Sequence, residues 1–186
     1  MNNIKINKEF KIAIYLIFIV YILLLINILL FKNGDAFLLL NFIGKKSFLE
    51  KFSYSQLIPF DTIKIFIFDS PSYLVSIENL FGNIVIFCPM GFLMPLLFKK
   101  IHNVISIFII SFGISLIIEL IQLLTGLGFC DVDDIILNVL GGIIGYLILK
   151  ILVKIFNKVF NKWILIKGVT KWELKSHFVI PKFYVL

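Results

Sequence analysis

The sequence predicts an all-α fold: a polytopic membrane bundle of four transmembrane helices, with a long outer loop between the first helix and the second. Of its 186 residues, 60% are hydrophobic, above the roughly 45 to 50% apolar share of a soluble domain. Mean hydropathy is +1.05. Four apolar runs come close to the ~20 residues that a helix needs to cross a bilayer. Lysines cluster at alternate ends of those runs.

The first run, residues 12–31, is too long for the core of a signal peptide and lacks a small-residue cleavage site, so it is a retained anchor. The second spans 77–98 and the third 104–124. The fourth begins near Asp134 and stays apolar to Leu149, after which Lys150 and Lys154 can snorkel to the headgroups. Orientation follows the lysines. Lys5, Lys8 and Lys11 precede the first helix, Lys99 and Lys100 fill the second loop, and Lys150, Lys154, Lys158 and Lys162 follow the fourth helix. These clusters belong on the cytoplasmic side, so both termini do as well. The loop at 126–134 has three acids and no lysine and faces outward, together with the long loop at 32–76. Within that long loop, the apolar pieces at 37–43 and 57–68 are too short to span and suit an interfacial or lid-like position.

The formal net charge of +7 comes entirely from lysine. Together with the abundance of Ile, Phe and Asn, this suggests an AT-rich bacterial genome. From Lys150 onward the four-residue lysine spacing, with Trp163 and Trp172, fits a surface helix held against anionic lipid. Membrane lipid is therefore the expected partner, and nucleic acid is not. Cys88 and Cys130 have no metal or redox spacing. His102 and His177 stand apart, and no nucleophile elbow, zinc motif or phosphate-binding glycine loop is present. The sequence identifies no cofactor, no metal site and no oligomeric state.

Chemistry concentrates in polar stripes. At about 100° per residue, Ser111, Ser115, Glu119 and Gln122 share one face of the third helix, and Asp134, Asn138, Gly141 and Gly145 share one face of the fourth. The glycines permit close backbone approach, and Asn138 can donate and accept across a gap. Asn79 and Asn83 lie one turn apart on the second helix. The two stripes can face each other and form one outward polar pocket. Each residue also has a plainer reading. Asn83, Gln122 and Asn138 can serve as interhelical glue, worth about 0.6 to 2 kcal/mol apiece. Glu119 can be a general acid or base, or a protonated hydrogen-bond donor. Asp131, Asp133 and Asp134 can solvate a loop and cap the fourth helix. Their D-x-D-D run also offers hard-cation ligands, weakly when taken alone. Pro89 withholds a donor from the Val85 carbonyl, and with Gly91 and Pro95 it either kinks the second helix or is tolerated there because neighbouring groups satisfy the backbone.

The segments "ENLFGNIVIFCPMGFLMPLL" (78–97) and "ELIQLLTGLGFCDVDDIILNVLGGIIGY" (119–146), preceded by "LIPFDTI" (57–63), resemble the VanZ-like family over roughly residues 10–150. The motif series is N-x-x-x-N, P-x-G, E-x-x-Q and D-x-D-D-x-x-x-N-x-x-G-G. The chain differs in having Gln56 where relatives often place Asn, and in having no arginine between Gln122 and Asp131. The resemblance implies a multi-pass membrane protein; with the lysine pattern, the chain divides into a VanZ-like transmembrane domain over 1–156 and a basic cytoplasmic tail at 157–186, in the cell membrane. The resemblance also implies a link to low-level resistance to the glycopeptide teicoplanin, and no established reaction. The leading expectation is a cell-envelope protein that binds a lipid-linked or amphipathic ligand. The alternatives are a membrane enzyme using Glu119 and the Asp131, Asp133 and Asp134 cluster, and a small transporter. The candidate ligand-binding residues are Asn79, Asn83, Glu119, Gln122, Asp131, Asp133, Asp134 and Asn138.

Overall fold

The computed structural model describes residues 8–30, 48–70, 72–125 and 130–167. Lys5, the apolar piece at 37–43, and the tail residues Trp172 and His177 lie outside them. Four long apolar helices dominate the described residues: α1 (Lys8–Leu30), α4 (Tyr73–Leu97), α5 (Val104–Thr125) and α6 (Val132–Lys167). Two short helices, α2 (Phe48–Ser53) and α3 (Asp61–Lys64), lie between α1 and α4, and a π-helical turn (Ile65–Asp69) follows α3. No strand occurs among the described residues. Each long helix has the length and hydropathy to cross a bilayer.

The boundaries differ from the sequence expectation mainly in α6. It starts at Val132 and runs on past Leu149 to Lys167, because no glycine or proline falls between Tyr146 and Lys167 and lysine is a good helix former. The second span, α4, is one continuous helix through both Pro89 and Pro95.

Burial shows which helix is central. Half of the apolar window of α6 is buried, against 11% in α1. The outward faces, such as Leu16 and Leu23 on α1 or Ile109 and Ile117 on α5, stay exposed. That suits lipid, where side-chain burial against protein brings no hydrophobic gain. Leu25, Phe87, Met90 and Ile118 form the apolar core where α1, α4 and α5 meet. Tyr21 fixes α1 onto α4 by donating its hydroxyl to the Ile86 carbonyl at 2.9 Å. Phe98 meets Tyr15 and Phe18 edge-on at the other end of that contact.

Between α4 and α6 there is no side-chain layer at three positions. A Cβ at Gly141 would collide with the Ile84 carbonyl, one at Gly145 with the Cys88 carbonyl, and one at Gly91 with the Gly142 carbonyl. The two backbones therefore touch, as small-xxx-small pairs allow, and Cα–H groups face carbonyl oxygens across the contact. Gly142 also lies against Ser111, so α5 closes on the opposite flank of α6.

This contact predicts a sharp split among glycines. Gly145→Val forces the helix backbones apart and is expected to destabilise by more than the ~1 to 3 kcal/mol of ordinary overpacking, because the clash is with backbone. Gly113→Ala, with nothing within 4 Å of its would-be Cβ, is expected to be neutral or to stabilise by up to about 1 kcal/mol. Membrane abundance and thermal unfolding in detergent check both.

Candidate functional site

Helical periodicity places Ser111, Ser115, Glu119 and Gln122 on one face of α5, and all four are buried. That face meets α6, which runs antiparallel to α5. Polar contacts then step along the seam one turn at a time. Glu119 Oε2 accepts the Asp131 backbone N–H at 2.9 Å. Asn138 Nδ2 donates to Ser115 Oγ at 2.9 Å. Ser111 packs against Gly142. Beyond Ser111 the seam turns apolar at Ile107, which is buried. One turn past Gly142, Tyr146 donates its hydroxyl to the His102 carbonyl at 2.7 Å and ties down the α4–α5 loop.

Some polar atoms in this seam are left over. Ser111 Oγ and Asn138 Oδ1 are buried and have no hydrogen-bond partner. Leaving such a group unmatched costs about 1 to 3 kcal/mol.

The D-x-D-D run divides its carboxylates among different elements. Asp131 Oδ1 accepts the Asp133 N–H at 2.8 Å, a local turn that starts α6, and the Thr62 side chain is near enough to act on the Asp131 carboxyl. Asp133 does not cap its own helix. Its Oδ1 accepts the Phe60 N–H at 2.5 Å and its Oδ2 the Ile63 N–H at 3.0 Å, so it holds the first turn of α3 instead. Asp134 Oδ1 accepts Asn83 Nδ2 from α4. Gln56 completes the clamp: its N–H donates to the Cys130 carbonyl at 2.9 Å and its carbonyl accepts the Val132 N–H at 3.0 Å. The segment from Gln56 to Ile63 is thereby folded onto the α5–α6 end of the bundle. Phe60 sits there with φ 68°, a left-handed conformation that a bulky residue adopts only under constraint. Burial pushes the Asp131 carboxyl above its ordinary range, and the charges of Asp134 and Asp133 add to this against the Thr62 side chain and the hydrogen bond from the Asp133 N–H. The Cys130 thiol is raised for the same leading reason, with Glu119 and Asp131 contributing.

Of the candidate residues, Asn83, Glu119, Gln122, Asp131, Asp133, Asp134 and Asn138 converge on this end or on the seam leading from it. Asn79 does not join by any hydrogen bond to them: its amide donates to Val75 of its own helix at 2.8 Å. Among the described residues no group of three or more His, Cys, Asp or Glu side chains is arranged to hold a metal ion. Sequence reasoning missed Thr62 and the backbone of Gln56, Phe60 and Ile63 as parts of the site. The signal available for them was the "LIPFDTI" match. It missed Ser111 as an open position because periodicity shows a shared face and not whether a hydroxyl is satisfied.

Four apolar spans, a polar seam between two of them and a clamped segment over its end define a multi-pass helical membrane protein. The chain belongs to the VanZ/LLP1 family, whose model matches residues 16–154. That range takes in the Gln56–Ile63 segment, the seam and the whole α4–α6 contact. No curated protein and no solved structure matches the chain.

The clamp predicts that Asp133→Ala frees the Phe60 and Ile63 amides. Hydrogen exchange there should accelerate by about 10- to 100-fold, the loss expected of hydrogen bonds to a charged group, while exchange within α5 stays unchanged. A second expectation concerns pH. Because the Asp131 carboxyl is raised in the folded state, its contribution to stability is fully present below the ordinary aspartate pKa and is lost as pH rises through the folded value. Asp131→Asn should therefore flatten the fall in detergent unfolding temperature as pH rises above the ordinary aspartate pKa.

Proposed function

We propose that this protein is a binding protein of the bacterial cell envelope whose α5–α6 seam takes the polar part of a lipid-linked or amphipathic ligand. By holding that ligand it lowers sensitivity to a surface-acting glycopeptide of the teicoplanin type. The carrying observation is the pair of buried, unpartnered polar atoms, Ser111 Oγ and Asn138 Oδ1, in the seam that leads from Glu119 and the aspartates. Polar side chains at membrane depth are costly and are generally kept for binding or transport. The seam's stop at Ile107 supports binding over conduction. The family match supports a role like that of its namesake.

In this reading the seam opens outward. Lysine clusters beside α1, in the α4–α5 loop and along the end of α6 put both termini on the cytoplasmic side of the cell membrane, and the acidic α5–α6 end lies opposite. Single cysteines in a background lacking Cys88 and Cys130 test this. An impermeant reagent should label a cysteine at the exposed Ser53 of the outer segment in intact cells and should not reach one at Lys100 or Lys162.

Function is tested by Glu119→Gln, which keeps size and an acceptor for the Asp131 N–H but removes the carboxylate. Expressing cells should lose protection against teicoplanin while membrane abundance stays at the wild-type level. Asp134→Asn should weaken protection if its charge matters, and Leu123→Ala serves as the packing control. Wild-type protection by Glu119→Gln at equal abundance would make the carboxylate structural and sink the proposal.

A further inference from the structure

We infer that the lysine-rich end of the bundle is a site for the phosphate of an anionic phospholipid, built where the α4–α5 turn is held between two tyrosines that each carry a lysine. This site lies at the end opposite Glu119 and the aspartates and does not depend on the binding reading above. The turn is fixed on three sides. The Ile101 N–H donates to the Phe98 carbonyl at 3.0 Å, which puts Lys99 and Lys100 at the two central positions of a tight turn, and both are exposed. The Phe98 ring meets Tyr15 and Phe18 of α1 edge-on, with centroids 6.2 and 6.3 Å apart. On the α6 side the buried Tyr146 donates its hydroxyl to the His102 carbonyl at 2.7 Å. The same two tyrosines seat the flanking cations. Lys11 Nζ lies 5.6 Å from the centre of the Tyr15 ring, and Lys150 Nζ lies 5.6 Å from that of Tyr146, within the range of a cation–π contact.

Depth, charge and preorganisation all suit a lipid phosphate. The four lysines stand where the apolar length of the spans ends: Ile12 follows Lys11, Phe98 precedes Lys99 and Lys100, and Leu149 precedes Lys150. Ammonium groups at that level reach the headgroup region. The exposed Ile12 and Leu16 on α1, and Leu147 and Ile148 on α6, lie beside them and offer apolar surface for acyl chains, which a free anion lacks. Among the described residues the acid at this end is Glu9, exposed at the start of α1, so positive charge dominates. The adjoining sequence adds to it: residues 1–7 hold Lys5 and no acid, and residues 168–186 hold Lys171, Lys175 and Lys182 against Glu173. An ammonium resting on a ring face can still donate N–H groups to a phosphate oxygen. Its side chain also has less freedom left to lose when the phosphate binds. Basic groups gathered between spanning helices are a common means of holding anionic head groups.

The test uses the full chain in phosphatidylcholine nanodiscs doped with phosphatidylglycerol or, in a parallel set, with diacylglycerol of the same acyl chains. Lipid retained on the protein is read by native mass spectrometry. Phosphatidylglycerol should be retained at least about tenfold over diacylglycerol, relative to their shares of the nanodisc. Lys11→Gln combined with Lys150→Gln should lower that preference by about fivefold or more, the share of one lysine at a lipid surface. Lys11→Arg combined with Lys150→Arg should keep it, because a guanidinium retains the charge and stacks on the same rings. The control pair, Lys64→Gln with Lys158→Gln, removes equal charge away from the turn, Lys158 being eight residues, about 12 Å, further along α6. It should stay within about twofold of wild type. Equal loss in the two glutamine pairs would show diffuse attraction to the whole chain and overturn the site. So would loss in the arginine pair matching that of Lys11→Gln with Lys150→Gln, unchanged preference in that glutamine pair, or no preference for phosphatidylglycerol by the wild-type protein.

Discussion

Contact between the backbones of α4 and α6 is the constraint on which the other arrangements depend. In a bilayer, helices gain little from hiding apolar side chains from lipid, so association relies on close packing and polar contacts. Gly91, Gly141 and Gly145 remove the side chains that would hold the two helices apart. The registration they impose brings Asn83 of α4 to Asp134 of α6 and leaves Phe87 and Met90 buried in the core with Leu25 and Ile118. Gly142 is shared between two interfaces, touching Gly91 on one side and Ser111 on the other. The position of the polar seam thus follows from the same few glycines that close the bundle.

Once that seam exists, its acidic end needs donors, and the protein supplies them largely from backbone. Glu119 receives the Asp131 N–H, Asp131 that of Asp133, and Asp133 those of Phe60 and Ile63. Hydrogen bonds to charged acceptors are stronger than neutral ones, so this series converts an acidic cluster into a means of fastening a connecting segment. The left-handed Phe60 is held within that fastening. Deeper in the seam the pattern changes: Ser115 and Asn138 satisfy each other only in part, and an acceptor remains open beside them. The carboxylates at the acidic end thus accept backbone N–H groups that hold the fold, while unpartnered polar atoms remain in the neutral interior.

Local rules fixed a large part of this in advance. A run of about 20 apolar residues has few alternatives to a spanning helix, so the four spans and the all-α class were legible from hydropathy and length alone. The faces carrying Ser111, Ser115, Glu119 and Gln122, and Asn138 with Gly141 and Gly145, follow from the helical period. Helix ends were less legible: α6 continues to Lys167 because charged lysine side chains end a hydrophobic run without ending a helix.

What tertiary structure alone decided is which partner each polar group takes. The sequence reading offered Asp133 a place as the cap of its own helix, since aspartate near a helix start commonly acts so. Its oxygens instead hold Phe60 and Ile63, 73 and 70 residues away. No periodicity links positions at that separation; only the return of the chain between α1 and α4 to the α5–α6 end brings them together. In the same way sequence placed Asn138 and Ser115 on facing stripes, but that their mutual bond leaves Asn138 Oδ1 open depends on the register set by Gly141, Gly142 and Gly145 against their neighbours. The helical period determines which face a side chain shares. Whether its hydrogen bonds are then filled depends on the distance and register of the neighbouring backbone.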